Sequence, residues 1–338
     1  MPAAKKQGQQ TLVFSNPPVI TASGTVVGTK EAAGPLGKTF DRVVDDPYHG
    51  EKSWERAERR FLEDAVQIAL KKANLSSREI DFFLAGDLEN QTEASALAAR
   101  DLGIPYLGLY GACATIYEGI ALGAVLIDGG FAERVVVAVS SHCCTAEKQF
   151  RYPTEQGVQR SLTQSWTVTG AGAVILAAQG SGPVVTHATI GKAIDMGQAD
   201  PNNFGAAMAP AACDTIVRHL LDTGRGATDY DLVVTGDLGL IGRDLAEGLL
   251  QDHGFDLAER FTDCGVLIYD PQQQDTHAGG SGCACSAVVT GGYLLQQIQA
   301  GKLKRILGVG TGALLNADSP KQGETIPGIG HAVVIERR

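Results

Sequence analysis

The chain repeats itself, and that symmetry narrows the folds open to it. IDFFLAGDLENQ, starting at Ile80, reads onto YDLVVTGDLGLI, starting at Tyr230. Their Gly-Asp-Leu steps, Gly86-Asp87-Leu88 and Gly236-Asp237-Leu238, stand 150 positions apart. Further on, GFAERVVVAVSS from Gly130 reads onto GKLKRILGVGTG from Gly301, 171 positions away. The difference between the two offsets predicts an insertion in the second half, around Asp256–Asp275. A period this long is not that of a solenoid. It predicts two similar α/β halves, residues 1–178 and 179–338, packed together with helices covering mixed sheets.

At the centre of the first half lies GLYGACATIYEGIALGAVLIDGGFAERVVVAVSS, from Gly108 to Ser141. Gly108 and Gly111 loosen the backbone ahead of Cys113. Ile116, Ile120, Leu122, Val125 and Leu126 then recur at helical spacing until Gly129-Gly130. Val135–Val139 is an apolar run short enough to be a strand buried on both faces. A thiol at the head of a helix feels the positive end of the helix dipole, which lowers its pKa and raises its reactivity. The alternative is a small apolar Cys used in packing. Elsewhere the spacing predicts strands at Thr11–Phe14, Val19–Ala22, Ile80–Ala85 and Gly170–Ala177, and helices at Trp54–Lys72, capped by Ser53, and Glu93–Leu102. Gly24–Pro47 and His142–Thr167 read as loops, and the second is long enough to suggest function.

Charge and cysteine usage exclude several classes of function. The net charge of −10 has no basic block to set against it, which argues against nucleic acid. No apolar run reaches the ~18 residues of a membrane span, and no signal-peptide core opens the chain, so an intracellular protein is expected. None of the seven Cys forms a spaced CxxC pair, so neither a zinc site nor a secreted disulfide frame is indicated.

GACA at Gly111–Ala114, VTGAGAVIL at Val168–Leu176 and GSGCACSA at Gly280–Ala287 resemble motifs of the thiolase superfamily, which includes the ketoacyl synthases. The resemblance spans nearly the whole chain. VTGAGAVIL is similar to the GDGAGA strand of the condensing enzymes, with Thr169 where their Asp stands. It implies a thiolase-like fold of duplicated α/β halves in five αβαβα layers, and a symmetric homodimer paired through a sheet edge of the first half. Val135–Val139 is the edge expected, being too apolar to be left open. More narrowly, length and motifs resemble a family of thiolase-fold sporulation proteins that helps move dipicolinic acid, with calcium, into the developing spore. That resemblance implies membrane-protein partners and a peripheral place on the spore inner membrane. No cofactor is implied beyond calcium carried with the ligand.

Superfamily chemistry needs a Cys acyl acceptor and two partners from the second half, a His and a second His or Asn, to stabilise an enolate and its oxyanion. Cys113 matches the first. Where a motif resembling HQAN should follow the second-half strand, the chain reads Gly236-Asp237-Leu238-Gly239, and a carboxylate repels an oxyanion. The repeat puts Ala284 opposite Cys113, and a looser alignment brings in His277 or Ser281. Condensation chemistry is therefore expected to be lost, leaving a pocket for binding. A flat ring with two carboxylates calls for cationic donors and an aromatic face. His142, Lys148, Arg151, Tyr152 and Arg160 are candidates from the long loop, with Arg151 stiffened by Tyr152-Pro153. Asp87 and Asp237 are candidates for the calcium side. Against each stands an ordinary role, as solvated surface charge or turn cap. The competing functional reading is an acyltransferase working through Cys113.

Overall fold

A computed structural model describes residues 5–150 and 160–338. The apolar run at 135–139 lies within the strand Arg134–Ser141, whose residues divide between two cores. Val135, Val137 and Val139 face one, and Val136 and Ala138 the other. That is period-two geometry in a strand covered on both faces.

This strand lies in a mixed run of strands ordered Val19–Gly28, Gly170–Ala177, Arg134–Ser141, Phe82–Gly86, Tyr106–Gly108, with Arg42–Val44 paired to the end of Val19–Gly28. The second half repeats the order with Val184–Ile190, Gly328–Glu336, Arg305–Ala313, Leu232–Thr235 and Phe261–Asp263. In each sheet the first three strands alternate in direction and the last three run parallel. The sheets meet through one residue pair, Val19 with Val184. The N-terminal strand Thr11–Val13 pairs with Val184–Ile190, so the start of the chain sits on the second half's sheet.

Three cores separate the layers. Trp54–Ala73 and Glu93–Leu102 cover the outside of the first sheet. Phe204–Thr223 and Gly239–Asp252 cover the outside of the second. Between the sheets lie Thr115–Asp128 and the helical run Cys283–Val288, Val289–Leu294, Leu295–Gln299, both almost entirely buried. The order is helix, sheet, helix, sheet, helix.

Several sequence expectations are corrected. Gly24–Pro47 does not begin as loop, because the strand Val19–Gly28 runs through Gly24. A Cβ there would lie 2.1 Å from the carbonyl oxygen of Ala65, so this glycine lets the Trp54–Ala73 helix settle onto the sheet. His142–Thr167 contains the helix Cys143–Phe150 and the short strand Trp166–Thr167. Within the stretch Asp256–Asp275 lies the strand Phe261–Asp263, the counterpart of Tyr106–Gly108. Arg134–Ser141 is no sheet edge: it is flanked by Phe82–Gly86 and Gly170–Ala177. Tyr106–Gly108 is the edge, with Leu107 exposed.

Candidate functional site

Cys113 leaves the edge strand on a tight turn. Ala112 is held at φ +48°, a left-handed conformation unfavourable for a residue with a Cβ. Thr115 secures it, its Oγ1 accepting from the Gly111 N–H at 3.0 Å and donating to the Ala112 carbonyl at 2.6 Å. The Cys283 thiol, at the head of the matching helix in the second half, reaches the same carbonyl at 3.0 Å. Each half therefore braces the turn that presents the thiol.

The thiol is not activated. Burial pushes Cys113 well above the ordinary thiol range, and the Asp237 carboxylate it bonds to pushes it further. The Gly282 N–H and Ser281 hydroxyl act the other way and lose. The activation expected from the helix dipole is overridden, because burial first, and then a carboxylate at contact, outweigh partial charges at a helix end. Asp237 is 1 % exposed. It accepts from Thr311 Oγ1 at 2.7 Å, Ser281 Oγ at 2.7 Å and Gly282 N at 3.2 Å. Behind it Asp263, pushed by burial to about 7, accepts from Thr235 Oγ1 and the N–H groups of Leu238 and Gly239.

Over the thiol lies a chamber of about 20 Å³, room for one water, lined by Leu88, Tyr110, Phe204, Met208, Ala313 and Leu315. It shares Leu88, Tyr110 and Leu315 with a cavity of about 350 Å³, whose polar wall is Glu89, Asn90, Gln91, Thr92, Gln149 and Asn316. Gln91 and Thr92 both adopt left-handed φ, at 59° and 51°. Glu89 and Gln149 also border an open groove of about 660 Å³ containing Arg56, Arg59 and Arg100. Among the described residues no group of three or more His, Cys, Asp or Glu is placed to hold a metal ion.

Of the residues singled out from sequence, Cys113, Asp237 and Ser281 come together. Asp87 lies beneath the cavity wall, accepting from Glu89 N, Ser95 N and Ser95 Oγ at 2.6–2.9 Å, so it caps its own loop and helix. His142 is buried, its Nε2 donating to the Pro47 carbonyl at 2.9 Å and its Nδ1 accepting from the Cys144 N–H at 3.1 Å. Burial lowers its pKa, so it is a neutral structural histidine. Lys148 is ion-paired with Glu55 at 2.5 Å. Arg160 pairs with Asp275 at 2.9 Å and lies over the Trp166 ring, whose other cation is Lys30. His277 bonds the Ser161 carbonyl at 2.7 Å and Asp275 at 3.0 Å. None of these four side chains lines the three cavities described above, and Arg151 and Tyr152 lie outside the described residues.

Sequence reasoning missed Glu58, Glu89, Tyr110, Thr311 and Asp263. Thr311 and Asp263 enter only through long-range strand pairing. Glu89 had a signal in its place two residues past the repeated Gly-Asp-Leu aspartate, where the second half has Gly239.

The architecture defines the chain as a thiolase-fold protein. It superposes with a TM-score of 0.60 on the crystal structure of 3-oxoacyl-[acyl-carrier-protein] synthase III from Aquifex aeolicus, at 14 % identity, covering 94 % of this chain and 99 % of that one. OleA from Xanthomonas campestris, bound with cerulenin, gives 0.57 at 15 % identity, covering 98 % and 97 %. Within that fold, residues 8–336 match the family model for stage V sporulation protein AD. The chain is 50 % identical over 333 residues to stage V sporulation protein AD of Bacillus subtilis, covering 98 % of each. It belongs to that family of sporulation proteins.

Proposed function

We propose that this protein binds dipicolinic acid, with or without accompanying calcium, as the thiolase-fold subunit of a spore-loading transport system, and performs no acyl transfer. The observation that carries this reading is Asp237. A carboxylate accepting from Cys113 at full burial holds the thiol protonated and stands where a condensing enzyme needs donors for an oxyanion. The one-water chamber over the thiol leaves no space for an acyl chain, whereas the adjoining 350 Å³ cavity suits a single aromatic ring. Half-exposed Tyr110 offers a face for the ring, and the Asn90, Gln149 and Asn316 amides offer donors. Calcium, where it accompanies the ligand, is carried on the ligand's own carboxylates. No helix among the described residues is long and apolar enough to cross a membrane. On this reading the protein works beside membrane-protein partners at the spore inner membrane.

Calorimetry of the purified protein against dipicolinate, with and without calcium and beside an acyl-CoA control, tests the reading. Saturable one-to-one binding is expected, with Cys113→Ala changing affinity by less than about fivefold. The retained position of Cys113 favours the rival acyltransferase. An acyl mass adduct on Cys113, with release of CoA, would establish that alternative.

The edge strand Tyr106–Gly108 carries a further expectation. An unpaired strand end bearing exposed Leu107 and leading to Tyr110 invites pairing with a second copy. A symmetric dimer is expected by light scattering at micromolar concentration, and Leu107→Pro should convert it to monomer. A wild-type monomer would refute it.

A further inference from the structure

Beneath the wall of the 350 Å³ cavity, two carboxyl groups lie in contact without a cation between them. Glu58, on the Trp54–Ala73 helix, is 1 % exposed, and Glu89, on the loop after Phe82–Gly86, is 3 % exposed. Both oxygens of Glu58 are engaged, with Ser140 Oγ donating at 3.2 Å and Thr145 Oγ1 at 2.5 Å. Among the described residues neither oxygen of Glu89 has a hydrogen-bond partner apart from the Glu58 carboxyl, and Glu89 borders both the cavity and the outer groove.

We propose that Glu58 and Glu89 form a proton-holding carboxyl pair whose outer member, Glu89, donates a hydrogen bond to a carboxylate of the bound ligand. This rests on the ligand reading above and names a group that recognises it. Two carboxylates in contact away from water cannot both ionise. The charges facing the pair make matters worse: Asp87 beneath it, Glu55 on the same helix as Glu58, and Glu93 at the start of the next helix. The ammonium nearest the pair from the Cys143–Phe150 helix, Lys148, is ion-paired with Glu55. On the groove side, Arg59 is ion-paired with Glu63 and Asp101. Burial pushes Glu58 well above the carboxylate range and Glu89 to about 8. Below that pH the outward group of Glu89 is a neutral acid with a free O–H, a donor suited to an anion and unsuited to a metal ion or an amine. Ligand binding therefore retains the proton on Glu89, and above pH 8 it must take one up from solution.

The test is calorimetry on the full chain from pH 6.5 to 9.5, in two buffers of different ionisation enthalpy. The probes are dipicolinate and benzene-1,3-dicarboxylate, neither of which titrates in that range. For the wild type, affinity should fall about tenfold per pH unit above pH 8, with proton uptake near zero at pH 7 and approaching one at pH 9. Glu89→Gln, whose amide still donates, should bind about tenfold more tightly than wild type at pH 9 and show no pH dependence. Glu89→Ala should lose about tenfold at pH 7. Dipicolinate binding with neither pH dependence nor proton uptake overturns the proton pair and leaves the ligand reading standing. Binding of the benzene diacid alone, with proton uptake, supports the pair and overturns dipicolinate as the ligand. If neither diacid binds the wild type, both fall. Should Glu89→Gln fail to fold, the wild-type uptake decides.

Discussion

Asp237→Ala is expected to lower the unfolding free energy by about 3–5 kcal/mol, the range for stripping a buried charged group from its partners. Thr311 Oγ1, Ser281 Oγ and the Gly282 N–H all donate to this carboxylate, and all three residues are buried. Removing the acceptor leaves each donor paying its desolvation without return. Asp237→Asn keeps one acceptor oxygen and the shape, so its loss should be about half as large. The substitution also removes the charge that opposes ionisation of Cys113. In the Asn variant, alkylation of Cys113 by iodoacetamide at pH 8 should quicken at least tenfold, roughly a one-unit fall in thiol pKa. Urea titration and peptide mapping supply the two readouts. A loss under about 1 kcal/mol for the alanine variant would mean that water takes the carboxylate's place. An unchanged alkylation rate would mean that burial alone silences the thiol.

The second large effect is expected at Gly312, in the strand Arg305–Ala313. A Cβ there would stand 2.3 Å from the Gly111 carbonyl oxygen and 3.2 Å from the Ala114 N–H nitrogen. Both neighbours are backbone atoms of the turn carrying Cys113, and no rotamer change relieves the overlap. Gly312→Ala should cost about 2–3 kcal/mol, as forced overpacking of a tight core does. It should also push the Cys113 turn toward the chamber lined by Tyr110 and Leu315 and weaken dipicolinate binding. Thermal melts beside the binding isotherm check both effects. A variant as stable as wild type would show that the two layers part without loss.

The repeat sets up equivalence, and the carboxylates break it. Asp87 and Asp237 end matching strands, yet Asp87 caps its own loop while Asp237 reaches the thiol of the other half. The capping that Asp87 performs in the first half falls in the second to Asp263, which holds Leu238 and Gly239. Two copies of one motif have thus divided between local structure and the site.

The sequence by itself determined the strands and helices, because periodicity reports local geometry. The unbroken apolar run Val135–Val139 made a strand covered on both faces, and the apolar spacing after Cys113 made a helix. The repeat doubled both. It also placed Cys113 at the head of the central helix and showed that Gly236-Asp237 had replaced the expected histidine. Tertiary structure alone decided what those residues do. Whether Cys113 is a nucleophile depends on its burial and on Asp237, both settled by packing of one half on the other. Whether His142 is a ligand donor or a neutral core residue depends on the Pro47 carbonyl, far away in the chain. The Glu58–Glu89 pair joins a helix to a strand-end loop that share no sequence signal. The free edge fell to the three-residue strand Tyr106–Gly108, while the more apolar candidate went inside. The physical reason is common to all four. Backbone conformation follows from neighbours a few residues away, whereas a side chain's charge state and availability follow from its distance to water and to other charges, which is settled only when distant segments meet.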